Sequence, residues 1–343
     1  MSKTISFKPK QITKKLMSEL QDRAYEVIAG RYGLVDEEKK TLEAIGKKYN
    51  ITRERVRQIE SAALASIRKS DNYKDVASIF EELEEIIQEM GSVVSEDELL
   101  ESITKDRLTQ NHINFYLVLG DNFHKHKEDE HFVARWTVKK DVAEKIHGAV
   151  KNLYSSLSEE ELLSEPDIMD MFVKELEDVA HDYKDTEIVK RWLCLSKGIC
   201  PNPLGDWGRA SSSSVKTRGI KDYAYLVMRK HGSPMHFKEV AKAIGETFGK
   251  KTHTATCHNE LIKDSRFVLV GRGMYALKEW GYKKGVVRDV ISDILKKKGP
   301  MSKEEIIDQV MKERYLKRNT ILVNLQNAKY FKKNKNGLYS LAA

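Results

Sequence analysis

Cysteine is scarce in this sequence: Cys194, Cys200 and Cys257 are the only three among 343 residues. An odd and small number cannot build a disulfide framework, which points to a reducing compartment. Proline is also rare, at 6 residues, and aromatics make up 8% of the chain. With Leu, Ile, Glu and Lys abundant, this composition favours short amphipathic helices over a large sheet. No stretch approaches the roughly 18 uncharged apolar residues of a membrane span, and Met1–Lys10 lacks the apolar run of a signal peptide. These absences predict a soluble, intracellular protein without a membrane partner. At about 100–200 residues per domain, the length accommodates two or three domains, or more if they are small.

Signatures of catalysis are missing too. There is no P-loop, no dinucleotide-binding fingerprint and no nucleophile motif. Cys194 and Cys200, with His181 upstream, lack the close pairing of ligands that structural zinc sites use. His124, His126 and His131 fall among Lys and Glu in an expected loop, where exposed histidines need no special role. Carboxylates are dense in the middle of the chain but spread around helices, unlike a metal cluster. The sequence thus predicts no enzyme, no cofactor or metal, and no small-molecule substrate.

Charge is abundant, and its distribution says more than its sum. Lys+Arg number 60 and Asp+Glu 52, a net +8. Residues 1–70 carry a net +7, residues 71–214 a net −15 and residues 215–343 a net +16. Two ends that meet a polyanion and a middle that does not would give this division, as would plain solvated faces.

The first segment reads as helical. Ile12, Leu16, Leu20, Val27 and Ile28 fall near helical spacing, with Gly30 and Gly33 expected to interrupt that helix. Next come a helix over Thr41–Lys48, a turn at Tyr49–Ile51 and a long helix from Arg53 to about Lys69, with Thr52 as N-cap. Val76–Met90 reads as an acidic amphipathic helix.

Beyond it a pattern recurs: a helix, a turn with Gly, Pro or Ser, two more helices, then a pair of short strands. The clearest copies run from Gly232-Ser233-Pro234-Met235 to Gly273-Met274-Tyr275-Ala276-Leu277 and from Gly299-Pro300-Met301-Ser302 to Gly337-Leu338-Tyr339-Ser340-Leu341. Each closes with apolar residues after a Gly-containing turn, as a hairpin requires. Three helices and a hairpin outline a winged helix. Glu85–Val138 and Val142–Leu195 read as degenerate versions. Cys200–Arg218, rich in Pro, Gly and Ser, reads as a linker.

The spacing from Leu42 to Ile59 is specific. Leu42, Ile45, Ile51, Val56 and Ile59 occupy the positions at which a helix-turn-helix buries apolar side chains. Gly46 sits where the helices approach closely, and Asn50 in the turn where φ > 0 is needed, which Asn tolerates. On the second helix Val56, Ile59, Ala63 and Ile67 share one side, while Arg53, Glu54, Arg57, Gln58 and Ser61 cluster within about 140° on the other. That exposed side lies near the helix N-terminus, the end that enters the major groove in this motif. Arg can bridge guanine, Glu can accept from cytosine and Gln can pair with adenine. Arg55, Lys47 and Lys48 suit phosphates.

The run Thr41-Leu42-Glu43-Ala44-Ile45-Gly46-Lys47-Lys48-Tyr49-Asn50-Ile51-Thr52-Arg53-Glu54-Arg55-Val56-Arg57-Gln58-Ile59-Glu60 closely resembles region 4 of the bacterial housekeeping-type (sigma-70 family) sigma factors. Arg31-Tyr32-Gly33-Leu34 looks like the joint between the two halves of that region, and the resemblance covers residues 12–69. It implies recognition of double-stranded, promoter-like DNA at a −35-type element by Arg53, Glu54 and Gln58. Thr52, Arg55 and Arg57 would face the backbone or neighbouring activators. It also implies contact with bacterial RNA polymerase, whose β-subunit flap this region meets in sigma factors. No segment resembles the aromatic region that melts the −10 element, so regulation rather than unaided initiation is expected.

Gly219-Ile220-Lys221-Asp222-Tyr223-Ala224-Tyr225, His236-Phe237-Lys238-Glu239-Val240-Ala241 and Arg272-Gly273-Met274-Tyr275-Ala276-Leu277 together resemble a HARE-type helix-turn-helix, as found in the RNA polymerase delta subunit. These residues mostly record core packing. Lys250, Lys251, Thr252, His253 and Arg272 are the candidates there for an anionic partner, or else solvated residues on a protein-binding module.

The expected fold is mainly α, with serial helix-turn-helix and winged-helix domains bearing short β-hairpin wings. Its parts are a region-4-like domain (1–70), an acidic helical middle (71–200), a linker (201–218), a HARE-type winged helix (219–283) and a C-terminal winged helix (284–343). The expected function is a cytoplasmic, nucleoid-associated transcription regulator. The alternatives are a delta-like polymerase accessory protein whose modules dock on protein, and DNA modification or restriction, for which no catalytic constellation is present.

Overall fold

The computed structural model describes residues 3–176, 179, 183, 185–282, 287–313, 317–334 and 336–342. His181 lies outside the described residues. Seventeen α-helices and four small antiparallel sheets lie among those described, and none of these helices is long and apolar enough to cross a membrane. The chain divides into two compact units: residues 1–200 with 207–210, and residues 201–206 with 211–343.

Four helices open the first unit: α1 (Pro9–Leu16), α2 (Asp22–Tyr32), α3 (Leu42–Tyr49) and α4 (Arg53–Lys69). The expected break at Gly30 lies elsewhere. The chain turns between Leu16 and Asp22, Gly30 sits inside α2, and Gly33 alone takes the left-handed conformation (φ 63°) that ends it. A short α5 (Asp71–Lys74) leads on.

From Ala77 to the C-terminus one topology is used four times, in the order helix, strand, helix, helix, strand, strand. The first copy is α6 (Ala77–Glu89), β1 (Val93–Ser95), α7 (Glu96–Ile103), α8 (Arg107–Leu119), β2 (His124–His126) and β3 (Arg135–Thr137). The second is α9 (Lys140–Ser156), a bridge residue Leu163, α10 (Glu165–Leu176), α11 (Thr186–Leu193), β4 (Ile199–Pro201) and β5 (Trp207–Arg209). The third is α12 (Ile220–His231), β6 (Met235–His236), α13 (Phe237–Phe248), α14 (Thr254–Lys263), β7 (Phe267–Gly271) and β8 (Met274–Leu277). The fourth is α15 (Val287–Lys298), a bridge residue Met301, α16 (Lys303–Glu313), α17 (Arg318–Leu325), β9 (Phe331–Lys333) and β10 (Tyr339–Leu341).

In every copy the last strand is central. The sheets run β1-β3-β2 and β6-β8-β7. Where the first strand is reduced to one residue, Leu163 pairs with Trp207 and Met301 with Tyr339. The fold is therefore mainly α, built of serial helix-turn-helix and winged-helix modules. The second copy reaches beyond Leu195 into the stretch expected to be a linker. Trp207 is fully buried there, packed with Phe172 and Trp192. Its Gly and Pro neighbours belong to a turn rather than to a free connector.

The four opening helices and the first winged helix share one core. Leu16, Met17, Ile28, Ala63 and Ile67 bury their side chains with Leu83, Ile87, Ile113, Phe115 and Trp136, each large side chain contributing about 1.5–3 kcal/mol. The boundary expected at residue 70 falls inside this core. Its centre is α8, whose residues 111–117 are all buried. The hydroxyl of Thr13 lies 2.8 Å from both His112 Nδ1 and the Tyr116 hydroxyl. Asn111 donates through Nδ2 to the carbonyls of Gly33 (3.0 Å) and Glu37 (2.8 Å). The α11 helix is also engaged by protein: Arg191 pairs with Glu98 at 2.6 Å, and Trp192 Nε1 donates to the Gly91 carbonyl at 3.0 Å.

The histidines expected in an exposed loop divide. His131 is exposed, but His124 and His126 lie on β2 and are half-buried, because β2 is paired to β3. His126 packs edge-on to His147 of α9, with ring centroids 5.2 Å apart. Arg135, itself buried, donates from Nε to His147 Nε2 at 2.6 Å. Burial, and next the Arg135 charge, hold His147 well below its ordinary 6.5, at about 4; His126 and Lys151 lower it further and Asp129 opposes them. A histidine depressed in the folded state stabilises the fold above its unfolded pKa and loses that contribution as pH falls toward 4. We expect the urea midpoint of the intact chain to fall between pH 7 and pH 4.5, and His147→Gln to flatten that fall.

Candidate nucleic-acid interface

The helix-turn-helix of α3 and α4 is positioned by its caps and a small apolar cluster. Thr41 accepts from the backbone N–H of Ala44 at 3.1 Å, and Thr52 from that of Arg55 at 3.2 Å, starting the two helices. Asn50 ends α3 in the left-handed conformation (φ 52°), as the turn requires. Ile45 and Val56 are buried with Val27, and Leu42, Tyr49, Ile51 and Ile59 pack around them. Val27 of α2 and Tyr49 are the members that the spacing from Leu42 to Ile59 did not point to.

Gly46 is tight against the turn rather than against the facing helix. A Cβ there would lie 2.6 Å from the Ile51 carbonyl oxygen, whose chain neighbour Thr52 caps α4. In α2, Arg31 reaches Glu60 of α4 at 3.6 Å and donates to the Lys40 carbonyl at 3.3 Å, while Tyr32 packs on Phe115 with centroids 5.2 Å apart. The Arg-Tyr-Gly-Leu joint thus ties the helix-turn-helix to the buried α8.

The residues expected at DNA are brought to one surface. Thr52, Arg53, Glu54, Arg55, Arg57 and Gln58 are all exposed on the first two turns of α4. Two pairs lace that face. Arg57 grips Glu54 (2.7 Å at the shortest), which lowers the Glu54 carboxyl through that hydrogen bond, and Arg55 donates to Gln58 Oε1 at 3.0 Å. The Arg53 guanidinium makes no hydrogen bond among the described residues. Lys47 pairs with Glu43 at 3.2 Å, and Lys48 turns toward α2, 2.9 Å from Glu26 and over the Tyr49 ring. Exposed pairs of this kind are worth up to about 1 kcal/mol, so an incoming phosphate can displace them.

In the third winged helix the candidate residues divide differently. Lys250 lies over the Tyr223 ring at 4.3 Å, spent on its own module. The Thr252 hydroxyl donates to the Lys250 carbonyl at 3.1 Å. Lys251, His253 and Arg272 are exposed, at the entrance to α14 and on the β7–β8 turn. Of the core residues named for this module, Val240, Leu261, Phe267 and Leu277 are buried, while Ile220 and Phe237 are half-buried. Asp222 is buried at the head of α12. It accepts from the N–H groups of Arg218 and Gly219 and pairs with Arg266 at 2.8 Å. Among the described residues no group of His, Cys, Asp and Glu is arranged to hold a metal.

Fold and surface together define helix-turn-helix modules of the DNA-binding class. Residues 16–69 match the family "Sigma-70, region 4", and residues 218–280 match the HARE-HTH family, a helix-turn-helix domain of ASXL and restriction endonuclease type. Among individual proteins, the RNA polymerase sigma factor RpoD of Helicobacter pylori is 52% identical over 54 residues, which is 16% of this chain and 8% of that protein. SigA of Clostridium acetobutylicum is 43% identical over 60 residues, 18% of this chain and 16% of that one. SigA of Nostoc sp. is 50% identical over 54 residues, 16% and 14% respectively. The chain thus spans less than a fifth of the length of these relatives.

Adding a methyl group inside a helix ordinarily stabilises it by about 0.5–1 kcal/mol relative to glycine. At Gly46 the Ile51 carbonyl reverses the sign. Gly46→Ala is expected to destabilise the first unit by about 1–3 kcal/mol, read as a lower urea midpoint at unchanged slope.

Proposed function

We propose that this protein is a sequence-specific regulator of transcription that binds double-stranded DNA through α4. In this reading the N-terminal end of α4 enters the major groove of a promoter-like, −35-type element. Arg53, Glu54 and Gln58 read base edges, while Thr52, Arg55, Arg57, Lys47 and Lys48 meet the backbone. RNA polymerase is its protein partner, and the protein works on nucleoid DNA in the cytoplasm. The observation that supports this most directly is the geometry of one element. A capped helix buries Val56 beneath it and presents an exposed Arg, Glu and Gln face at its N-terminal end.

A second reading is a polymerase accessory protein whose modules dock on protein. It is favoured by the acidic middle, where α8 and α11 pack on protein rather than facing outward. Salt separates the two. Counterion release makes DNA binding fall steeply with ionic strength, whereas docking would persist on polymerase free of DNA.

Arg53→Ala and Gln58→Ala are each expected to weaken binding to a duplex selected from a random pool by about 1–3 kcal/mol and to relax preference at one base pair. Thermal stability should not change, since both side chains are exposed. Fluorescence anisotropy on the selected duplex checks this, and unaltered affinity in both variants would remove base readout by α4.

A further inference from the structure

The four winged-helix copies differ in what becomes of their third helix and wing. In the first two copies that helix is packed into protein. In the fourth it is open: Ile321 and Leu325 point into the core, while Arg318, Asn319, Thr320 and Val323 are exposed, Val323 at 66%. Gln326 and Asn327 extend the open face, and Lys329 leads to the wing strand β9, on which Lys332 and Lys333 are exposed.

Charge is segregated within this copy. Residues 287–313 hold 6 Lys/Arg and 6 Asp/Glu, whereas the described residues from 317 onward hold five Lys/Arg and no acidic residue. The corresponding stretches of the other copies, residues 107–139, 185–210 and 250–279, each carry at least three acidic residues. Several of the cations have weak engagements. Arg318 meets Glu304 at 3.2 Å with both side chains more than half exposed, and Lys333 and Lys329 lie 5.9 and 5.7 Å from the Tyr339 and Tyr330 rings. None is buried in an ion pair, so all can turn to an external anion.

We infer that α17 with the β9–β10 wing is a second surface for duplex DNA, independent of α4. Lys317, Arg318, Lys332 and Lys333 meet phosphates, and the Asn319, Thr320 and Val323 face lies toward the groove. Polar Asn and Thr side chains suit base edges, and an exposed Val suits a thymine methyl. An acid-free stretch is what a polyanion requires, since one carboxylate at the contact would offset one cation.

The test uses the full chain and a duplex of arbitrary sequence, titrated by anisotropy at several salt concentrations. Lys317→Gln, Arg318→Gln, Lys332→Gln and Lys333→Gln combined should lower affinity at least tenfold at low salt. They should also reduce the slope of log K against log salt by about 2–4, close to one for each phosphate no longer neutralised. The same change should appear in a chain carrying Arg53→Ala and Gln58→Ala, so failure of base readout by α4 leaves this outcome intact. Lys332→Gln with Lys333→Gln alone, on two exposed strand positions, should give about half the slope change if the larger set perturbs folding. Unchanged affinity and slope in both backgrounds would overturn the inference.

Discussion

The first unit depends on the burial of α8. In a winged helix the third helix is the one available to a ligand, and here it is enclosed from residue 111 to 117. The apolar faces of α1, α2 and α4 that close over it would otherwise be exposed. Its polar positions are matched in turn: Asn111 to the Gly33 and Glu37 carbonyls, His112 and Tyr116 to Thr13. A buried polar group left unmatched would cost about 1–3 kcal/mol. The contact therefore fixes register as well as adding stability, and it sets the base from which Arg31 and Tyr32 brace the helix-turn-helix.

Repetition of one topology permits a division of labour. A third helix with apolar residues around its circumference, such as α8, has to be buried, and becomes scaffold. A third helix with Ile321 and Leu325 inward and polar residues outward stays open. The net −15 of the middle fits the first case, since a surface that meets no polyanion has no need of excess cations. The basic excess falls on the segments whose helices α4 and α17 stand open.

Much of this was legible in the sequence. The helix-turn-helix was readable because Thr41, Gly46, Asn50 and Thr52 are each demanded by local geometry within a few residues of one another. The last two winged helices were readable because Gly-containing turns separate short apolar strands. Harder to see were the contributions of distant residues: Val27 to the helix-turn-helix core, Trp207 to the second winged helix, His147 to His126. Trp207 lies in a stretch of Gly, Pro and Ser that reads as a connector, and its partner Leu163 is a single bridging residue with no strand pattern around it. Lys250 resembled a free cation because its partner Tyr223 is far away in the chain.

The sequence by itself determined the local elements, their caps and turns, and the chemical types presented on α4. These depend on neighbours a few residues apart, where backbone conformation and hydrogen bonding are decided. Only the tertiary structure decided which of the repeated third helices are spent as scaffold and which remain open. That choice depends on whether another apolar face of matching shape lies against the helix, a property of residues separated by tens of positions, such as Thr13 and Tyr116. Composition can say that charge is uneven, but burial decides which charges a partner can meet.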